Sequence, residues 1–248
     1  MHRKTGSLLA VLAVLAVLAV ALAAPLALAH AQGGMEESKA VKDGGITVTG
    51  WMGKVDAAEA GRGMKLTDAK LAAMGGGMHV TTGPATTYWN SATKATGDYT
   101  VKATFTEQKY MGLNDHPHPY GIMIAGNGLD TDKPEFLYCA AYGNGNFIFR
   151  GFSSTAPRGT FSMTTGRAGD ANAAVHKAAG KNEPVTQEIA MQVKGDKVSC
   201  MINGTEVASY PKSAVIGDGK VKSLDGYVGV RFGHNTDAHV AGFAMTKP

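Results

Sequence analysis

The sequence predicts an all-β fold: a two-sheet antiparallel sandwich of the jelly-roll type with few short helices. Three observations point there. Apolar and polar residues alternate with a period of two over much of the chain, turns rich in glycine and asparagine separate the alternating stretches, and helical periodicity is scarce.

The chain opens with His2, Arg3 and Lys4, followed by an apolar run of 21 residues from Leu8 to Leu28 and by Ala29-His30-Ala31. A basic start, an apolar middle and small residues at the end make a signal peptide over 1–31, with cleavage expected after Ala31. The run is also long enough for a membrane anchor. No cysteine lies near Ala31, which argues against a lipoprotein. Residues 32–44 are polar and aperiodic and read as a flexible leader. The domain is expected over 45–248.

Within the domain, Ile46-Thr-Val48-Thr alternates, and Tyr99-Thr-Val-Lys-Ala-Thr-Phe105-Thr does so more cleanly. The segment Phe136 to Tyr142 meets Phe147 to Phe152 across Gly143-Asn144-Gly145-Asn146. From Glu188 to Tyr210 the pattern predicts two consecutive hairpins, turning at Lys194-Gly195-Asp196-Lys197 and at Asn203-Gly204, where Asn-Gly supplies the positive φ of a type I′ turn. Tyr227 to Phe232 and His239 to Met245 complete the strands. Helical character is confined to one or two turns at Asp68 to Met74 and at Ala171 to Ala179.

The chain has 248 residues and a formal charge of +4, which falls to +2 once Arg3 and Lys4 leave with the signal peptide. Its lysines are scattered without a basic and aromatic stripe, so a nucleic-acid partner is not expected. No nucleophile elbow, phosphate loop or C-x-x-C pair is present. The two cysteines, Cys139 and Cys200, fall in strand segments, where they either pair as a disulfide in an oxidising compartment or stay as buried free thiols.

Three blocks carry a family resemblance: Gly97 to Phe105, Tyr120-Gly-Ile-Met-Ile-Ala-Gly126, and Val198 to Val207 with Asn203-Gly204, closed by Asp225-Gly-Tyr-Val-Gly-Val-Arg231 and His239 to Phe243. Together they resemble the concanavalin A-like lectin and glucanase superfamily, in particular laminin-G-like bacterial domains. The resemblance covers about two thirds of the mature chain and consists of strand and turn signatures. It implies the sandwich fold, and leaves open lectin, glycosidase, adhesion or other roles.

Glucanases of that superfamily carry an E-x-D-x-x-E strand whose carboxylates flank the scissile bond. The nearest pattern here, Asp130-Thr-Asp132-Lys-Pro-Glu135, departs at its first residue and contains Pro134, so it reads as a loop. Asn127, Asp130, Asp132 and Glu135 could instead supply oxygen ligands to calcium, or form a solvated hairpin loop. His116-Pro-His118, with Met111 and Asp115 nearby, brings copper or zinc to mind, although its spacing fits no defined site and the prolines could splay the rings. His79, His234 and His239 read as single polar-face residues.

Tyr120, Tyr138, Tyr142 and Arg150 come from strand segments that could share one sheet, where rings and guanidinium would meet a sugar. Phe147 and Phe149 belong to the core. No catalytic residue is assigned. The reading reached is a periplasmic or secreted non-catalytic binding module for carbohydrate or another cell-surface ligand, without a required cofactor, with calcium open, and off the membrane after signal cleavage. The alternatives are a glycoside-processing enzyme on the same scaffold, similar to 3-keto-disaccharide hydrolase domains, and a structural or adhesion domain.

Overall fold

The computed structural model describes residues 36–166 and 168–248. The signal segment and the start of the leader lie outside the described residues. Residues Glu36–Pro248 form one compact unit.

In chain order the first strands are β1 (Gly45–Ile46), β2 (Trp51–Val55), β3 (Ala69–Met74) and β4 (Gly77–Thr82). Next come β5 (Thr86–Ala95), β6 (Tyr99–Glu107), β7 (Tyr120–Asn127), β8 (Glu135–Ala141) and β9 (Asn146–Phe152). After the short β10 (Thr160–Ser162) and β11 (Asp170–Ala171) follow β12 (Val185–Lys194), β13 (Lys197–Ile202), β14 (Thr205–Pro211), β15 (Gly226–Phe232) and β16 (Asp237–Thr246). Two single-turn helices, α1 (Ala57–Ala60) and α2 (Lys212–Val215), sit in connections.

Sheet A runs β1-β3-β4-β16-β6-β12-β13-β14 and sheet B runs β10-β9-β8-β7-β15-β5-β2, with β11 added against β9. Apart from the parallel β1–β3 pair, the ladders are antiparallel. The fold class is therefore the all-β sandwich that the alternation predicts. The Asn203-Gly204 turn takes φ of 50° and 80°, as the β13–β14 hairpin requires.

Period-two alternation fixes what lies between the sheets. Sheet A contributes Tyr99, Val101, Ala103 and Phe105 from β6, Ile189, Met191 and Val193 from β12, and Val198, Cys200 and Ile202 from β13. Sheet B answers with Ile122 and Ile124, Leu137 and Cys139, Phe147 and Phe149, and Val228, Val230 and Phe232. Each such side chain stabilises the fold by about 1.5–3 kcal/mol on burial. Cys139 on β8 and Cys200 on β13 form a disulfide across the two sheets, with Cα atoms 6.1 Å apart.

Two local expectations fail. Residues 69–74 are strand β3, because Ala69 and Leu71 alternate inward and the whole run pairs with β4. Helical propensity there yields to sheet pairing. At 171–179 the chain makes strand β11 and turns, pinned by Asn172 N–H to Gly145 O (3.1 Å) and Ala178 N–H to Gly143 O (2.8 Å). The leader from Glu36 onward is tied to the body: Lys39 N–H donates to Asn235 Oδ1 (2.8 Å) and Val41 N–H to Asp68 O (3.0 Å).

Glu107, at the end of β6, is a buried carboxylate. Burial pushes it up to about 7, against the Met111 N–H that donates to Oε1 at 3.0 Å. Its Oε2 has no hydrogen-bond partner.

Two measurements follow from these features. The disulfide closes a loop of 61 residues, so the Cys139→Ala/Cys200→Ala variant should lose about 2–4 kcal/mol in urea unfolding while keeping a β-type circular dichroism spectrum. For Glu107 the folded pKa lies above the ordinary 4.5, so the folded state keeps a proton that the unfolded state releases. Its stabilising contribution is full below about pH 4.5 and falls as pH rises to about 7. Glu107→Gln should flatten that part of the pH profile and raise the urea midpoint at pH 8.

Candidate functional site

Sheet B carries apolar residues on its outer face as well as its inner one. Met123 on β7, Phe136, Tyr138 and Ala140 on β8, Ile148 on β9 and Trp89 on β5 form a second apolar cluster with Leu129 and Tyr142. Strand parity decides membership: on β8, residues 136, 138 and 140 face outward while 137, 139 and 141 face the core.

In the middle of this face stands a buried cation, Arg231, placed outward between the inward Val230 and Phe232 of β15. It pairs with Asp56, the residue before α1, and Nη1 donates to Thr87 Oγ1 at 3.4 Å. Its guanidinium lies over two rings, 5.8 Å from the Tyr138 centroid and 5.5 Å from that of Phe152. Cation–π attraction and the Asp56 charge together hold a desolvated guanidinium in place. Phe152 also stacks on Phe136, with centroids 4.5 Å apart and planes 19° off parallel.

Above this floor lies a cleft of about 380 Å³, walled by Trp89, Phe136 and Phe152 with Leu129 and Ala156. Lys54, Asp56, Thr87, Asp132 and Arg158 also line it. The loop of 128–134, the loop of 153–159 and the start of α1 make the rim. Aromatic walls with a few convergent polar groups are the common composition of small-ligand sites.

The residues singled out in the sequence distribute unequally over this geometry. Tyr138, Tyr142 and Arg150 do share the outer face, with Tyr138 directly opposite Arg150 in the β8–β9 ladder. Burial pushes the Tyr142 hydroxyl up to about 12, and also raises that of Tyr138 against the pull of Arg231 and Arg150. Arg150 Nη2 donates to Gly166 O at 3.4 Å. These three lie beside the cleft and do not line it.

Tyr120 is a correction. It faces the core with Ile122 and Ile124, fully buried, and stacks on Phe105 of the opposite sheet at 5.7 Å. Its aromatic ring reads equally well as platform or core until the pairing of Tyr120 with Ala141 sets its parity.

Asn127, Asp130, Asp132 and Glu135 span the β7–β8 hairpin, where Asn127 and Glu135 are cross-strand partners. The Asn127 amide donates to Ala125 O (3.1 Å) and Asp225 O (2.8 Å). Glu135 accepts from Ser154 Oγ at 2.9 Å and pairs with Lys222 at 3.2 Å. Asp130 and Asp132 are exposed at the tip. The structure does not gather these carboxylates into one ion-sized group.

Trp89, Phe136, Phe152, Arg231 and Asp56 were missed as site residues. One signal was available: an arginine inside Val228-Gly-Val-Arg-Phe232 breaks an otherwise apolar strand. Asp56, 175 positions away, could not be joined to it without the fold.

By sequence the chain matches no protein-family model and no curated protein. By structure it is similar to the carbohydrate-binding module CBM66 from Bacillus subtilis, with a TM-score of 0.51 at 11% identity over 82% of this chain and 99% of that one. A Bacillus subtilis protein of unknown function with a galectin-like fold aligns at 0.48 and 11% identity, over 79% and 89% of the two chains. The laminarinase catalytic domain from Thermotoga maritima aligns at 0.48 and 11%, over 83% and 96%. The likeness to the Bacillus subtilis module is one of fold, an antiparallel two-sheet β-sandwich.

Removing one partner of the Arg231–Asp56 pair leaves a desolvated charge. Arg231→Met should cost about 3 kcal/mol in urea unfolding, the low end for a buried pair because 21% of the Asp56 side chain stays exposed. The Asp56→Asn/Arg231→Met double variant should recover part of that loss.

Proposed function

We propose that this is an exported, non-catalytic domain that binds carbohydrate in the cleft on the outer face of sheet B. The observation that carries the reading is the aromatic wall of Trp89, Phe136 and Phe152 beneath a polar rim. A sugar ring offers an apolar C–H face and a belt of hydroxyls. The aromatic rings match the first, and Lys54, Thr87, Asp132 and Arg158 match the second.

The non-catalytic part of the reading rests on the carboxylates. Asp56 is engaged by Arg231, and Asp132 stands on an exposed loop tip. A glycosidase needs one carboxyl kept protonated and a second placed to attack or to activate water. Burial raises the Asp56 pKa, but its carboxylate is tied to Arg231, and the other carboxylate lining the cleft, Asp132, is exposed. The Bacillus subtilis module of the same fold is a carbohydrate-binding one. Export is supported by the basic and apolar opening of the chain and by a disulfide, which suits an oxidising compartment.

A glycan array followed by calorimetry on the best hit tests the reading. Phe152→Ala and Arg158→Ala should each weaken binding about tenfold or more, some 1.4 kcal/mol, while circular dichroism shows an unchanged fold. Binding that survives both substitutions, or no glycan retained at all, would overturn it. Release of free sugar from the bound glycan would replace it with the enzyme reading.

A further inference from the structure

A second cluster of chemically competent side chains is built from three separate parts of the chain. His116 and His118 lie in the connection between β6 and β7, His234 in the turn between β15 and β16, and Glu36 in the leader. The His116 and His118 ring centroids are 4.3 Å apart, and those of His118 and His234 are 4.0 Å apart. One ring nitrogen from each of the three histidines lies within 4.8 Å of the others. Pro117 and Pro119 bias both histidines toward extended backbone, and residues two apart in an extended chain face the same side.

The backbone around the cluster is fixed. Gly233 N–H donates to Pro119 O at 2.7 Å, Asn114 Nδ2 to Asn235 O at 3.0 Å and Asn235 Nδ2 to Glu37 O at 3.0 Å. These bonds tie the two loops and the leader into one frame. Inside it, His118 keeps 5% of its side chain exposed, and its Nε2 is buried without a hydrogen bond. The Glu36 carboxylate accepts from Lys39 Nζ at 3.0 Å and from Asp115 N–H at 3.2 Å, and its Oε2 lies 3.7 Å from His118 Nε2 and 3.5 Å from His116 Nδ1.

We propose that His116, His118 and His234, with Glu36 as fourth ligand, form a binding site for a divalent transition-metal ion, best suited to zinc. Imidazole and carboxylate are the nitrogen and oxygen donors that zinc takes in tetrahedral sets. Ligands on one tetrahedral zinc lie about 3.4 Å apart, given bonds of about 2.0–2.1 Å. Binding the ion would require side-chain rotations that bring the set, now within 4.8 Å, to that spacing. The ion would occupy the lone pair that His118 Nε2 now spends on nothing, and an unmet buried polar atom is costly.

The surroundings also match what metal-bound histidines require. Asp115 Oδ1 lies 2.5 Å from His116 Nδ1, which leaves His116 Nε2 for the ion. Ser38 Oγ lies 3.3 Å from His234 Nδ1 and donates to Glu59, whose carboxylate is 3.6 Å from Arg62. Outer partners of this kind fix ring orientation and tautomer.

Isothermal titration of chelator-treated protein with zinc chloride tests the site. The expected result is one zinc per chain, a sub-micromolar Kd and a rise in melting temperature. His118→Ala and His234→Ala should each weaken binding about 100-fold or more. His116→Ala and Glu36→Gln, at less buried positions, give the same readout if a core substitution fails to fold, and should weaken binding at least tenfold. His79→Ala is the control, since His79 and His239 form a separate surface pair with rings 4.9 Å apart; it should leave zinc affinity unchanged. No stoichiometric zinc binding, or binding that persists in His234→Ala and in His116→Ala, would overturn the assignment.

Discussion

Strand β8 is buried along its whole length, and β7 along all but its last residue. A strand of this kind must be covered on both faces, and sheet A can cover only one. The second cover has to come from connections, and here it comes from the loops after β7 and β9 and from α1. Loops cannot pack as continuously as a sheet, because their backbone polar groups need solvent or dedicated partners. The cleft is the part of the outer face that this incomplete cover leaves open. Two of its aromatic walls are thus a direct result of the amino-acid pattern of β8 and β9, which place Phe136 and Phe152 on the side away from the core, and Trp89 joins them from β5.

Helix α1 lies between the cleft and the histidine cluster. Asp56, just ahead of it, holds Arg231 beneath the cleft, and Glu59 within it accepts from Ser38 beside His234. Residue 231 and residue 234 leave the same strand end. A four-residue helix too short to be stable alone is therefore held by an ion pair on one side and a hydrogen bond on the other.

What could be read from the sequence divides along a physical line. Local patterns were legible: the hairpins of β12 to β14 and of β8 to β9, and the inward sets of β6 and β12, are written in consecutive residues. Strand parity was legible only where an apolar and a polar face differ. Along β7 and β8 both faces are apolar, so nothing in Tyr120 or Tyr138 says that the first belongs to the core and the second to the outer face. Strand β3 reads as helix because Ala, Lys, Leu and Met favour one, and only its pairing with β4 decides otherwise. The histidine cluster shows the same limit: His116-Pro-His118 was visible as a pair, whereas His234 reaches it only through the return of β15.

Strand β16 lies in the middle of sheet A, between β4 and β6. Its partners there begin at Met78 and end at Thr106, while β16 itself begins at Asp237. During synthesis, the segments that form β4 and β6 emerge early and wait for a strand some 130 residues later, with the edges that β16 will pair still open. Each half of the sheet can pair within itself, but the two halves cannot join until β16 arrives, so completing the sheet depends on non-local pairing and is expected to be slow. Open, apolar strand edges template association between chains. A chaperone that shields residues 78–106 until the last strand arrives would act at the step where this topology is most vulnerable.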